Sequence, residues 1–342
     1  MEALSPKERL LRVLHKEKVD RPPVVCPGGM MNSAIVEVMK KHGHTLPEGH
    51  SDAHIMSELA QDVQDDTGFE NFGIPFCMTV EAEALGSGIN FGSLECEPKI
   101  AKEIYPSVKA VAYKEPEAIV KSARANTVFQ AIHEISRRQP EVPVIGSITG
   151  PLSTAASVVD PMTFLKELRK AKDEAHRFVD YVTDELIAYA RHMADNGAQV
   201  ISIADPTATG EILGPKMFGD YAVPYINKLV DAVHELNLPV IVHICGRMQA
   251  VTEHIAALHA DAISVDALVS LRKLQDEYPH ITTMGNLSTY ALEFGNPAKI
   301  QRGTEQLLQD GINIIAPACG LSTSTPLANI QSFTGTVKAE EG

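Results

Sequence analysis

The run LPVIVHICG (238–246) ends an apolar stretch with His243 and Cys245 two apart, directly before a glycine. A further cysteine, Cys319, closes another apolar run, INIIAPACG (312–320). Residues i and i+2 of a β-strand share a face. His243 and Cys245 can therefore turn toward one point, and Cys319 can meet them from a second strand end. One imidazole and two thiolates suit a tetrahedral zinc ion with one position left open. The two thiolates cancel the charge of the ion, and a thiol bound at the open position would lose its proton yet remain a nucleophile. A buried core cysteine beside a hydrogen-bonded histidine is the competing reading of His-x-Cys alone, and Cys319 is what weighs against it.

Several other polar residues end apolar runs. Thr149 (SITG), Asp205 (IADP), Asp266 (SVD) and Asn286 (MGN) each do so. Asp205 is read as orienting a ligand, or as capping the next element, a position that Asp fills well. Asp266 either ligates the metal, receives the His243 N–H, or caps a loop. Glu81 and Glu83, two apart in TVEAEALG, share a face if the segment is a strand, which would bring carboxylates near the metal; a solvated face or a helix start is the alternative. Arg247 and Asn286 are candidates for gripping an anionic tail, against an exposed side chain and a plain turn. Asp205, Asp266, Glu81 and Glu83 are thus the catalytic candidates, and Arg247, Asn286 and Thr149 the substrate-binding ones. The hydroxyls of CGLSTSTPL (319–327) line the mouth or cap a helix at Pro326.

These residues need strands to carry them, and the chain supplies them in a repeating order. RPPVVCPGG (21–29) reads as a first strand, followed by helices over 33–42 and 52–67. Strands and loops are expected over 73–92, and a strand over 142–151. Helices follow over 161–170 and 173–196, then a strand over 198–206 and a helix over 215–236. Strands at 238–246, 260–266, 281–286 and 312–320 complete the order, each after a helical stretch. Short apolar runs alternating with longer helices indicate parallel βαβ units. Without GxGxxG, that order fits a (β/α)8 TIM barrel better than a dinucleotide fold. One barrel domain is expected over 1–342, with an N-terminal helix in 1–20, capped by Ser5, Pro6 and Glu8, and a frayed tail over 335–342. Active sites of such barrels lie where the strands end.

Composition narrows the function. The 342 residues are 44% hydrophobic, enough for a large core, and carry a formal charge of −14. That charge argues against nucleic acid and anionic membrane surfaces as partners. The N-terminus has no apolar signal core, and no run nears the about 18 apolar residues of a membrane span. Five cysteines in no tight pattern fit a reducing compartment, so a cytoplasmic protein is expected. Cys77 and Cys96 read as packing residues, whereas Cys26 lies near a strand end.

The chain resembles the methylcobamide:coenzyme M methyltransferases of the uroporphyrinogen decarboxylase superfamily. The resemblance covers nearly the whole chain and includes PFCMTVEAEALG (75–86), ADPTATGEILGPKMF (204–218), VHICG (242–246) and PACGLSTSTPLANI (317–330). It implies a (β/α)8 barrel with zinc on His243, Cys245 and Cys319. It further implies that a methylcorrinoid held by a partner protein gives its methyl group to a small thiol acceptor such as coenzyme M. Tetrahydrofolate or another acceptor, and a homodimer, stay open. The corrinoid-binding Asp-x-His-x-x-Gly pattern is absent, since DAHIMS (52–57) has Ser57 in place of glycine. The decarboxylase branch grips substrate carboxylates with an arginine-rich segment after the first strand, and VVCPGGMMNS (24–33) has no arginine. A metal-free decarboxylase and a barrel with purely structural zinc are the remaining alternatives.

Overall fold

The computed structural model describes residues 3–340. Nine strands occur among them: β1 Phe72–Ile74, β2 Gly88–Asn90, β3 Lys99–Lys102, β4 Val144–Thr149, β5 Val200–Ala204, β6 Val240–Ile244, β7 Ala262–Val265, β8 Thr283–Leu287 and β9 Ile314–Pro317. Seven form one parallel sheet in the order β1-β4-β5-β6-β7-β8-β9, while β2 and β3 pair as a separate antiparallel hairpin. Every residue of β4, β5, β6, β7 and β9 is buried. That is the pattern of parallel strands with helices on one side and a filled barrel on the other.

The segment 22–28 closes the ring between β9 and β1. The Val25 N–H donates to the Ile315 carbonyl, and the Ile315 N–H to the Pro23 carbonyl, both at 2.9 Å. On the β1 side the Asn71 side chain stands in for a ladder, accepting from the Cys26 N–H and donating to the Cys26 carbonyl, each at 2.9 Å. The barrel is thus eightfold, but the expected first strand over 21–29 is reduced to a single parallel bridge, Val24 to Ile315. Pro22, Pro23 and Pro27 have no N–H to offer a ladder.

Three other expectations change. Residues 80–85 are a helix, ended by Gly86 at φ 119°. Glu81 and Glu83 therefore do not share a strand face. The helix expected over 215–236 does begin at Pro215, after a break where Gly214 takes φ 65°, but its stretch Phe218–Ala222 is π-helical and it ends at His234. The expected frayed tail begins too early, because Leu327–Lys338 is helical and buries Phe333, Thr334 and Val337. At the other end, Ser5, Pro6 and Glu8 form the capping box read from the sequence at the start of helix Pro6–Leu14.

Candidate metal centre

β6 carries His243 and delivers Cys245 one residue past its end. Gly246 then turns the chain at φ 82°, where a Cβ would lie 2.7 Å from the Thr209 hydroxyl. Cys319 follows the end of β9, and Gly320 lets the chain pass the Met30 carbonyl, which a Cβ would strike. These three side chains converge. His243 Nε2 lies 3.0 Å from Cys245 Sγ, Cys245 Sγ lies 3.3 Å from Cys319 Sγ, and all three ligand atoms fall within 4.8 Å of one another. Around a tetrahedral zinc ion, with bonds of about 2.3 Å to sulfur and about 2.0 Å to nitrogen, such edges measure about 3.5–3.8 Å. An opening of about half an ångström fits the ion, so donor set and spacing both suit it. His243 is fully buried, and its Nδ1 lies 2.8 Å from the Ser264 hydroxyl on β7, which leaves Nε2 facing the sulfurs.

The two sulfurs also lie within hydrogen-bond distance, and either can donate. The Cys245 thiol hydrogen bond, and after it the neighbouring His243, draw Cys319 below the ordinary thiol range. The same bond, with burial behind it, drives Cys245 upward. One thiolate forms easily and the second only when a cation compensates it, as in a metal site. Cys26 is different: its thiol, 3.0 Å from the Met31 carbonyl, is pushed up to about 12 by burial and stays a neutral packing group.

Most of the remaining candidates are engaged by partners of their own chain. Glu81 is fully buried and accepts from the Thr149 N–H at 2.8 Å and hydroxyl at 3.1 Å, so these two site candidates hold each other. Burial pushes Glu81 up to about 7 against those hydrogen bonds. Glu83 instead pairs with Arg124 at 2.7 Å, whose guanidinium also meets Cys77 Sγ at 3.0 Å. Asp205 accepts from the N–H groups of Leu152 and Ser153 and from the Ser153 hydroxyl at 2.6 Å. It thus caps the helix Pro151–Val158, which follows β4, rather than the element after itself. Both amide hydrogens of Asn286 are used on the carbonyls of Asp266 and Val269, so Asn286 fastens the loop after β7 instead of offering its amide to an anion. Asp266 is close enough for its charge to oppose ionisation of Cys245. Arg247 is 72% exposed and lies 4.0 Å from Glu211.

A cavity of about 760 Å³ opens beside Cys319, walled by Met30, Glu97, Tyr290 and Glu293 among others. The hairpin of β2 and β3 supplies one side of it through Glu95, Cys96, Glu97 and Lys99. Cys96, expected to pack, is exposed there. Sequence reasoning missed Ser264, Arg124 and the cavity carboxylates. Ser264 had a signal, a serine inside the apolar run of β7, and it is the register partner of His243. The others lie in loops or on a helix and carry no periodic mark.

The family model described as uroporphyrinogen decarboxylase (URO-D) matches residues 5–340. The chain is 33% identical to the methylcobamide:CoM methyltransferase MtbA of Methanosarcina acetivorans, over 97% of both chains. It is 31% identical to the MtaA enzyme of the same description from Methanosarcina barkeri, again over 97% of each. A solved methyltransferase from Methanosarcina mazei superposes with a TM-score of 0.91 at 30% identity, covering 98% of both chains. A uroporphyrinogen decarboxylase of a Synechococcus strain is 25% identical over 97% of this chain and 97% of its own. The chain belongs to the uroporphyrinogen decarboxylase family, and within it to the methylcobamide:coenzyme M methyltransferases.

Proposed function

We propose that this methyltransferase moves a methyl group from a methylated corrinoid to a small thiol, with zinc held by His243, Cys245 and Cys319. The observation that carries this reading is the convergence of those three donors with a half-buried Cys319 in the wall of a cavity large enough for a small acceptor. Bound there, zinc would act as a Lewis acid that keeps an acceptor thiol ionised near neutral pH. Ser264 fixes the His243 ring, and Cys245 and Cys319 balance the charge of the ion. Cys319 is the member of the triad in the cavity wall, so the acceptor approaches past it. Met30 and Tyr290 line the same cavity. The acceptor sulfur attacks the methyl carbon in line, and the carbon–cobalt bond breaks with both electrons left on cobalt. The corrinoid arrives on a separate protein, because the chain lacks the corrinoid-binding pattern.

Calorimetry in two buffers of different ionisation enthalpy tests the thiol role, with 2-mercaptoethanol as the probe. Zinc-loaded protein is expected to release close to one proton per thiol bound near neutral pH, because a free thiol is mostly protonated there. Equal release from zinc-free protein, or none from the loaded form, overturns the reading.

A further inference from the structure

Nearly all aromatic side chains of this protein are inside it. Every Phe and Tyr but two is buried or half-buried, whereas Tyr290 is 73% exposed and Phe294 65%. Both belong to the short helix Thr289–Phe294, which follows β8 and so stands at the end of the barrel where the metal centre lies. Four positions apart, they share one face of that helix. Their rings pack together, with centroids 4.8 Å apart. The helix buries Leu292 on its opposite side, so its orientation is fixed and the aromatic pair is the face it turns outward. Leu268, 57% exposed, adds a third apolar side chain from the loop after the neighbouring β7. The Asn286 amide fastens that loop at the carbonyls of Asp266 and Val269. Single exposed apolar side chains are ordinary, but three gathered on adjacent loops mark a surface that is covered in use.

The position of the patch says what covers it. Tyr290 also lines the cavity beside Cys319, so the patch carries the wall of the acceptor site out onto its rim. That cavity, about 760 Å³, suits a small acceptor. A corrin macrocycle with its peripheral amides is larger and stays outside. In-line attack requires the carbon–cobalt bond to point into the cavity, so the ring plane lies across the mouth and its edge rests on the rim. The edge of a corrin consists of methyl groups and neutral amides. Aromatic rings cover the first, and the Tyr290 hydroxyl can hydrogen-bond the second. We infer that Tyr290 and Phe294, with Leu268 beside them, seat the corrin macrocycle of the methyl donor. This inference rests on the reading that a corrinoid supplies the methyl group.

Two methyl donors test this with the zinc-loaded full chain and 2-mercaptoethanol as acceptor. Methylcobalamin carries the ring; methyl iodide does not, and loses iodide as the sulfur takes its methyl group. The readout is the ratio of the two second-order rate constants, methylcobalamin over methyl iodide. In Tyr290→Ser/Phe294→Ser the ratio is expected to fall at least about tenfold, through the KM for methylcobalamin rather than kcat. Tyr290→Phe/Phe294→Tyr keeps both rings and is expected to hold the ratio within about threefold of the wild type. Leu268→Ser, on a separate loop, is expected to lower it about threefold and carries the test if the double variant misfolds. A ratio that holds in the double serine variant, or that falls as far when the rings are merely exchanged, overturns the inference. So does a wild-type dimer that the serine variant splits while the ratio stands, since the pair then meets a second copy of the chain. These outcomes leave the thiol reading intact. A zinc-loaded wild type no faster than zinc-free protein with either donor instead removes that reading, and the inference with it.

Discussion

The β6, β7 and β9 side of the barrel mouth and the β1, β4 and β5 side are both rich in polar residues, yet they use them differently. On the first, His243 Nε2 and the two sulfurs face one another within hydrogen-bond distance. On the second, both oxygens of the Glu81 and Asp205 carboxylates accept from donors of their own chain. Strand-end position is common to both sides. What separates a site from a brace is whether the polar atoms retain capacity for something from outside, since a buried group must be satisfied by one or the other.

Breaking the first side should have the largest effect. Cys245→Ala is expected to remove zinc and lower methylcobalamin demethylation by about a thousandfold or more, since the substitution removes the metal's chemistry outright. Metal analysis checks this, with circular dichroism to confirm an intact barrel. Full zinc content in the variant would erase the distinction between the two sides.

Asp205→Ala tests the other side. It strips the acceptor from three buried donors and the cap from a helix, so a loss of about 3 kcal/mol is expected. Urea unfolding measures it, and zinc content should stay at the wild-type level. Zinc lost from protein that is still folded would mean that Asp205 serves the metal after all.

Glu81 sharpens the comparison through pH. Burial holds its folded value up at about 7 against 4.5 for a free glutamate, so the folded state binds this proton more tightly than the unfolded chain. Its contribution is fully present below about pH 4.5 and is lost as pH rises through about 7. The loss amounts to about 3 kcal/mol at most, taking 1.36 kcal/mol per pK unit. Glu81→Gln is expected to flatten that part of the stability profile, whereas an unchanged slope in unfolding at about pH 5 and about pH 8 would assign it elsewhere.

The smallest effect belongs to Ser264→Ala. Without the hydroxyl at Nδ1 the His243 ring is free to turn, and zinc affinity should fall by about tenfold in a chelator competition. An unchanged affinity would make Ser264 a packing residue.

Much of this molecule was legible in the sequence. Alternating short apolar runs and longer helices gave the barrel, because side-chain periodicity records which way each element must face. It misled where local chemistry overrode the period. Prolines 22, 23 and 27 deny a ladder to an apolar run, and Glu81 and Glu83 alternate in a segment that Ala82, Ala84 and Leu85 turn into a helix. Asn286 sits at a strand end like a binding residue, but its donors were claimed by carbonyls of the preceding loop.

The sequence by itself determined that His243 and Cys245 face one way, since two residues apart on a strand is a purely local relation. That Cys319 lies 3.3 Å from Cys245, across 74 positions of chain, was decided by the order in which parallel strands close the ring. The same closure sets Met30 in the cavity wall beside Cys319, because segment 22–28 pairs with β9. The charge of that wall was likewise a tertiary decision: Glu95 and Glu97 come from the hairpin of β2 and β3, and Glu293 from a helix nearly 200 positions later. Spacing in sequence fixes direction within an element, whereas proximity between elements follows only from the packing that buries their apolar faces together.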